Sequence, residues 1–128
     1  MAKPRKEVEN LLAQARFDLK NAEKNISVAA YDVAAFLCHQ SVEKGLKALF
    51  LQSRRQRPPP THSLHELAQE LSAPKSLVEA LTLINADYVA ARYPDAANGV
   101  PALLYTKKMA ADRLAAARKI WDWLEKRF

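Results

Sequence analysis

The chain has 128 residues, which is enough for one ordinary domain with a hydrophobic core and too few for two. It contains only two glycines, and its net charge is +6, from 20 basic and 14 acidic residues. Scarce glycine and abundant helix formers argue against a β-rich fold, whose turns need glycine, and favour an all-α fold. The basic balance permits nucleic-acid binding without establishing it, because most basic residues alternate with acidic ones.

Cysteine content and hydropathy exclude further classes of protein. The single cysteine, Cys38, allows no internal disulfide and no multi-cysteine metal site. No segment approaches the roughly 18 consecutive apolar residues of a membrane span. The charged Met1–Glu9 segment is not followed by the apolar segment of a secretory signal. We therefore expect a soluble, cytoplasmic protein without membrane contact.

Hydrophobic periodicity predicts two long helices in the first half of the chain. Apolar residues at steps of three and four describe one face of a helix over about Pro4–Ser27. A second stripe predicts a helix over about Ala29–Arg54, where small residues such as Gly45 would let a neighbouring helix come close. Pro58–Pro60 end this pattern because proline lacks an amide donor and restricts the residue before it.

The second half begins with a helix-capping pattern. Thr61 or Ser63 is a candidate N-cap, and Glu66 follows Ser63 as in a capping box, which predicts a short helix over about Ser63–Leu71. The remaining predicted elements are a third long helix, a loop and a fourth long helix, over about Lys75–Ala91, Arg92–Pro101 and Leu103–Arg127. Amphipathic helices of similar length usually pack together. The predicted fold is a single all-α domain over residues 1–128, an up-and-down four-helix bundle with one additional short helix.

A polar face on the second predicted helix is the first candidate site. Gln40, Glu43, Lys44 and Lys47 follow one another at helical spacing and therefore stack along one side. This face is either a binding surface or a solvated surface with an exposed Glu43–Lys47 ion pair, and spacing alone favours the solvated surface.

The second candidate is the segment Thr61–His65. A histidine beside a helix N-terminus, such as His62, either organises the turn or moves a proton near neutral pH. The three histidines do not show the four-residue spacing and further ligand of a helical zinc site. We expect no metal and no cofactor.

The third candidate is the segment Tyr88–Asp95. Arg92 could hold a phosphate, with Tyr88 and Tyr93 available for stacking. Alternatively, Arg92 and Asp95 brace the loop while the tyrosines pack on the bundle. The segment itself leaves these two interpretations open, and the chain has no phosphate-binding glycine loop.

Three segments in this order resemble the HEPN domain family, namely His39–Leu49, Thr61–Leu64 and Arg92–Asp95. The resemblance extends from about Leu11 to Ile120 and implies a four-helix bundle, usually a homodimer whose facing grooves form a polar cleft. Many members stand beside a minimal nucleotidyltransferase in a two-component system. In some, the HEPN partner is an endoribonuclease toxin silenced by that nucleotidyltransferase, and others have been proposed to bind nucleotides or its substrate.

The ribonuclease members of the family carry an arginine followed four to six residues later by a histidine. In this chain Ala96, Ala97 and Asn98 stand at those positions after Arg92. Asparagine cannot act as a base near neutral pH, so the family's usual catalytic route lacks its histidine here.

The resemblance also implies which residues line the cleft. Lys47 and Arg92 would receive phosphate, Tyr93 would stack or hydrogen-bond, and Glu43 with Asp95 would orient the bases. The expected lining consists of Gln40, Glu43, Lys47, His62, Arg92, Tyr93 and Asp95. We therefore expect a subunit that binds a nucleotide or RNA in a dimer cleft, pairs with a minimal nucleotidyltransferase in a toxin–antitoxin-like system and is not itself catalytic. The alternatives are a metal-independent endoribonuclease that uses Arg92 and His62, and a purely structural protein.

Overall fold

A computed structural model describes residues 4–128 of the protein, and residues 1–3 of the predicted domain lie outside the described part. Residues 4–128 form helices joined by turns, and no strand occurs among them. A 3₁₀ turn at Lys75–Leu77 precedes α4. In chain order the α-helices are α1 (Pro4–Ser27), α2 (Tyr31–Arg54), α3 (Leu64–Glu70), α4 (Val78–Asn85), α5 (Asp87–Ala90), α6 (Pro94–Ala97), α7 (Pro101–Leu104) and α8 (Lys107–Glu125).

Helices α1 and α2 pack against each other as an antiparallel pair. Their interface is the most extensive one between any two elements. The bounds predicted for α1 are confirmed, whereas α2 begins at Tyr31, two residues later than predicted. The delay has a local cause, because Ala29 adopts a left-handed backbone conformation with φ of 62°. The amides of Ala29 and Ala30 then donate to the last carbonyls of α1, which ends that helix before α2 can start.

The predicted continuous helix over Lys75–Ala91 is interrupted at Ala86. Asn85 and Asp87, the polar residues on either side of Ala86, form hydrogen bonds with different parts of the chain. The Oδ1 atom of Asn85 accepts a hydrogen bond from the backbone amide of Leu64, at the start of α3. Asp87 is buried and accepts hydrogen bonds from groups on and before α8. These partners require a turn between α4 and α5.

The fourth long helix starts later than predicted, at Lys107 rather than Leu103. Thr106 has an extended backbone, and its Oγ1 atom accepts a hydrogen bond from the amide of Met109 at 3.1 Å, so it caps α8. The predicted loop Arg92–Pro101 contains the short helix α6, and Pro101 begins α7. Proline suits both starts, since its missing amide would be unpaired there.

The core lies between α1, α2, α8 and the segment from Lys75 to Ala90, with α3 packed against α2 and α4. Close contact between α2 and α8 depends on Gly45, since an added Cβ there would lie 2.9 Å from atoms of Trp121 and Leu124. The predicted all-α, up-and-down four-helix bundle and its short helix α3 are confirmed, while the third long helix is divided into α4 and α5 and two more short helices, α6 and α7, follow it. Its largest fully buried apolar side chains are Leu46, Leu64, Leu67, Ile84, Ile120 and Leu124.

Among residues 4–128, no helix combines the length and the apolar character that crossing a membrane requires.

Candidate functional site

Glu43 lies at the centre of the predicted polar face of α2. The residue is only 6% exposed, and it accepts a hydrogen bond of 2.9 Å from Nζ of Lys47. Nδ1 of His62 lies 3.1 Å from its Oε2 atom and 3.2 Å from its Oε1 atom. The helix therefore does not present a solvated Glu43–Lys47 pair. It brings together three of the predicted site residues, Glu43, Lys47 and His62.

The contact with Glu43 determines the tautomer of His62. A carboxylate only accepts hydrogen bonds, so Nδ1 of His62 carries the hydrogen and Nε2 of the neutral ring keeps a free lone pair. The His62 side chain is 54% exposed, whereas the Glu43 side chain is 9% exposed. The pair thus joins a buried anion to an imidazole that solvent can reach.

His39 is a site residue that sequence reasoning considered only as a metal ligand. It is completely buried, and its Nε2 atom lies 3.1 Å from the backbone carbonyl of His62. Its Nδ1 atom lies 3.6 Å from Oε1 of Glu43 and has no hydrogen-bond partner in the described chain. Burial lowers the pKa of His39, although the charge of Glu43 opposes this effect. The position of His39 four residues before Glu43, on the same helix face, is the signal that could have found it.

Tyr88 joins the polar face of α2 to the third predicted segment. The ring of His62 stacks on Tyr88 with a centroid distance of 4.0 Å and an interplanar angle of 14°. Cζ of Arg92 lies 4.6 Å from the centroid of Tyr88, 4.8 Å from that of Phe36 and 5.0 Å from that of Tyr93. Nε of Arg92 also donates to the carbonyl of Tyr88 at 3.0 Å. We call Phe36, His62, Tyr88, Arg92 and Tyr93 the stacked cluster.

In the described part of the chain, two of the predicted site residues, Gln40 and Asp95, form no side-chain hydrogen bond or ion pair with the stacked cluster. Gln40 faces α1, because its Oε1 atom accepts from Nζ of Lys44, which also forms a 2.6 Å ion pair with Asp18. Asp95 is exposed on α6 and forms no ion pair or side-chain hydrogen bond with any other residue of 4–128. The proposed brace between Arg92 and Asp95 is thus absent from the described chain, and Arg92 is held by Tyr88 instead.

A second buried polar group lies beside the stacked cluster. Asp87 is 1% exposed, and its Oδ1 atom accepts from the hydroxyl of Tyr105 at 2.6 Å while Oδ2 accepts from Nε of Arg113 at 2.8 Å. Sequence reasoning missed this group because its members are far apart in the chain. We call Asp87, Tyr105 and Arg113 the Asp87 network.

The chemistry available at the site is that of cations, rings and one histidine–carboxylate pair. Over the stretch from residue 4 to residue 128, no three His, Cys, Asp or Glu side chains form a group that could hold a metal ion. Arg92 and Lys47 offer positive charge, and His62 and Tyr93 offer exposed rings.

The HEPN domain family model matches residues 8–127. The chain belongs to the HEPN family. Two solved structures of similar proteins support the assignment. TT1696 from Thermus thermophilus is 32% identical, with a TM-score of 0.85 over 94% of this chain and 98% of that one. ST0689, an archaeal HEPN homologue, is 30% identical, with a TM-score of 0.79 over 93% of this chain and 95% of that one.

A more distant solved structure shows the fold alone. An HEPN domain protein from Thermotoga maritima is 21% identical, with a TM-score of 0.70 over 91% of this chain and 95% of that one. A search of the curated proteins finds no match. The HEPN assignment therefore establishes the family and its architecture, and function has to be argued from the site.

In this HEPN domain the three segments that carried the resemblance meet in space. His39–Leu49 meets Thr61–Leu64 through Glu43 and His62, and Arg92 joins them through Tyr88. Asn98, at one of the positions where ribonuclease members of the family are expected to carry histidine, has a left-handed backbone with φ of 60° and ends α6. Asparagine adopts this conformation more easily than most residues. The presence of asparagine at this position is thus accounted for by the left-handed turn that ends α6.

Proposed function

We propose that this HEPN chain is a non-catalytic subunit that binds a nucleotide unit, either free or within RNA, at the stacked cluster. The observation that carries the proposal is the placement of Arg92, whose exposed guanidinium lies against three rings. Its Nε atom is used by the carbonyl of Tyr88, while Nη1 and Nη2 make no hydrogen bond within residues 4–128. Both terminal nitrogens are free to hold a phosphate bidentately.

The neighbouring side chains supply the other interactions that a nucleotide needs. Tyr93 is 51% exposed and His62 has a half-exposed ring, so each offers a surface on which a base can stack. Lys47 donates a hydrogen bond to Glu43, so its ammonium group is less free to contact a ligand directly. Its positive charge still contributes to the electrostatic field of the site. This arrangement favours Arg92 over Lys47 as the principal phosphate ligand.

The family resemblance supports the remaining parts of the proposal. HEPN chains are usually homodimers, many stand beside a minimal nucleotidyltransferase, and some of these pairs are toxin–antitoxin systems. We propose a homodimer with such a partner here, in the cytoplasm. Exposed apolar side chains at α7 and just before it, Val100 and the 82% exposed Leu103, support association through this part of the surface. Affinity purification of the tagged protein from a native extract should recover a small nucleotidyltransferase. Recovery of this chain alone would contradict the pairing.

Binding is tested by fluorescence polarisation with two probes, fluorescein-labelled ATP and a labelled single-stranded RNA of mixed sequence. Arg92→Ala should weaken binding by roughly tenfold or more, since charge-assisted hydrogen bonds contribute about 1.5–3 kcal/mol. The matched control is Arg118→Ala, which removes an equally charged, partly exposed arginine paired with Glu23. That variant should stay within about twofold of the parent.

The two probes distinguish the sources of the nucleotide unit. Binding of the RNA without binding of labelled ATP would identify RNA as the ligand, and the reverse result would identify the free nucleotide. Failure of the parent protein to bind either probe, or equal losses in Arg92→Ala and Arg118→Ala, would contradict the proposed site.

A second candidate function is favoured by the Glu43–His62 pair. Glu43 holds Nδ1 of His62 and leaves Nε2 able to accept a proton, as in a histidine general base. In this alternative the protein is a metal-independent endoribonuclease, with His62 taking the 2′-hydroxyl proton and Arg92 stabilising the phosphate charge. It requires cleavage of mixed RNA by the purified protein in EDTA, lost in both His62→Ala and Arg92→Ala. Absence of cleavage by the parent would leave binding as the function.

A further inference from the structure

We infer that Tyr105 is a positioning residue for the stacked cluster, because it holds both ends of α5, the helix that carries Tyr88 and ends next to Arg92. Tyr105 itself lies behind the cluster and is 7% exposed. The effect on ligand binding rests on the proposed function, whereas the effect on the geometry of the cluster can be measured without any ligand.

The hydroxyl of Tyr105 holds the first residue of α5. It donates to Oδ1 of Asp87 at 2.6 Å, and Nε of Arg113 on α8 donates to Oδ2 at 2.8 Å. Each carboxylate oxygen thus has a donor, which a buried carboxylate requires. Burial, together with the hydrogen bond to Asp87, raises the pKa of Tyr105. Its hydroxyl therefore keeps its proton and remains a donor at neutral pH.

The ring of Tyr105 packs at the other end of α5. It forms a small buried cluster with Ala35 of α2 and Ala91, the residue that follows α5, and the ring of Phe36 packs against this cluster. Ala91 is immediately followed by Arg92, whose guanidinium lies over Phe36. One side chain therefore fixes the start of α5 through its hydroxyl and the end of α5 through its ring.

A helix as short as α5 depends on such anchors. It has four residues and is joined to α4 through Ala86, where the backbone stays right-handed helical but the regular hydrogen bonding of α4 stops, so contacts with neighbouring elements add to the few backbone hydrogen bonds that fix it. The position of the Tyr88 ring, 4.0 Å from His62, is consequently decided by what holds Asp87 and Ala91. Loss of the Tyr105 hydroxyl should loosen Tyr88 and Arg92 while leaving the bundle folded.

The test uses Tyr105→Phe, which keeps the ring against Ala91 and removes only the hydroxyl. The matched control is Ser41→Ala, which removes another buried hydroxyl, one that donates to the carbonyl of Ala15 and accepts from Nε1 of Trp121, between other helices. Asp87→Asn, a second variant, replaces one acceptor oxygen with an amide donor and removes the negative charge that holds Arg113, so it tests the same inference if Tyr105→Phe does not fold.

The first readout is the NMR spectrum of the imidazole protons of His62, which lie against the face of Tyr88. Tyr105→Phe should move these resonances toward the values of an unstacked histidine, while His65, which contacts Thr82, serves as an internal reference. Ser41→Ala should leave them in place. Unchanged His62 resonances in both Tyr105→Phe and Asp87→Asn, or an equal change in Ser41→Ala, would overturn the inference.

The second readout is the affinity for the labelled RNA or ATP probe. Tyr105→Phe should weaken binding by about threefold to tenfold, the loss expected when a site is no longer held by a hydrogen bond of roughly 1 kcal/mol. Ser41→Ala should bind within about twofold of the parent, even if its Tm falls by as much as that of Tyr105→Phe. A shifted His62 resonance in a protein that binds neither probe would contradict the proposed function and support the positioning role. Unchanged His62 resonances in a variant that binds normally would contradict the positioning role and leave the proposed function intact.

Discussion

The Nε2 atom of His39 donates a hydrogen bond of 3.1 Å to the backbone carbonyl of His62. A completely buried imidazole on α2 thus fixes the loop whose own imidazole is exposed. The ring of His62 is in turn held by Glu43, four residues after His39 on the same helix. One face of α2 therefore holds His62 by its backbone and by its side chain, which sets the direction in which this ring faces Tyr88.

Replacement of His39 should show how much the buried donor contributes. His39→Phe keeps a ring of similar size but leaves the carbonyl of His62 without its donor. We expect this to lower the free energy of unfolding by about 1 kcal/mol, the net contribution of one hydrogen bond, because the bond is only partly buried. His39→Gln keeps an N–H donor and should lose less. Urea unfolding followed by circular dichroism measures both, and equal losses in the two variants would contradict the assigned role.

The stability of the protein should decrease with acid because of His39. Burial lowers the pKa of His39 below its ordinary value of 6.5, despite the opposing charge of Glu43. Below about pH 6.5 the unfolded chain therefore binds a proton at this residue that the native protein does not, so the free energy of unfolding falls as the pH falls. Above that pH the ring is neutral in both states and contributes no slope.

The control for this pH effect is His39→Gln, which cannot titrate at that position. The difference in unfolding free energy between the parent and this variant should shift against the parent between pH 7.5 and pH 5, as measured by urea unfolding at several pH values. A difference that stays constant, or that shifts in favour of the parent in acid, would show that burial does not lower the pKa of His39.

Gly45→Ala should destabilise the bundle although alanine is the better helix former. The new Cβ would lie 2.9 Å from Cδ1 of Leu124 and 2.9 Å from Cζ2 of Trp121, so these two side chains would have to shift from their packed positions. Overpacking of this kind costs about 1–3 kcal/mol, more than the gain of about 1 kcal/mol in helix propensity. Ala13→Gly, at an exposed position of α1, calibrates the propensity term. A higher Tm in Gly45→Ala would disprove close packing here.

Cys38 should not react with alkylating reagents while the protein is folded. It is completely buried, and burial, with a smaller contribution from the charge of Asp87, raises the pKa of its thiol to about 12. The thiolate, which is the reactive form, is therefore scarce at pH 8. Mass spectrometry after iodoacetamide treatment should show labelling in 8 M urea and almost none in buffer, and rapid labelling in buffer would contradict this burial.

Local sequence signals were sufficient for several helix ends. The bounds of α1 and the end of α2 at Arg54 were predicted, and Ser63 is one of the two caps predicted for α3, because each depends on neighbouring residues. The break at Ala86 was not predicted, since apolar spacing continues through it while Asn85 and Asp87 bond to residues elsewhere in the chain. Thr106, the cap of α8, carried a usable local signal that the apolar pattern concealed.

The site shows the same division. By itself the sequence determined an all-α fold and the polar face of α2, since composition and periodicity are properties of the chain. The resemblance to the family added the predicted site residues, which are Gln40, Glu43, Lys47, His62, Arg92, Tyr93 and Asp95. Only the tertiary structure decided that Glu43 is buried, that His39 holds His62, and that Gln40 bonds to Lys44 rather than to the stacked cluster. Helical spacing gives the face of each residue within one helix. It does not give the rotation and distance between helices, which follow from packing of the whole core.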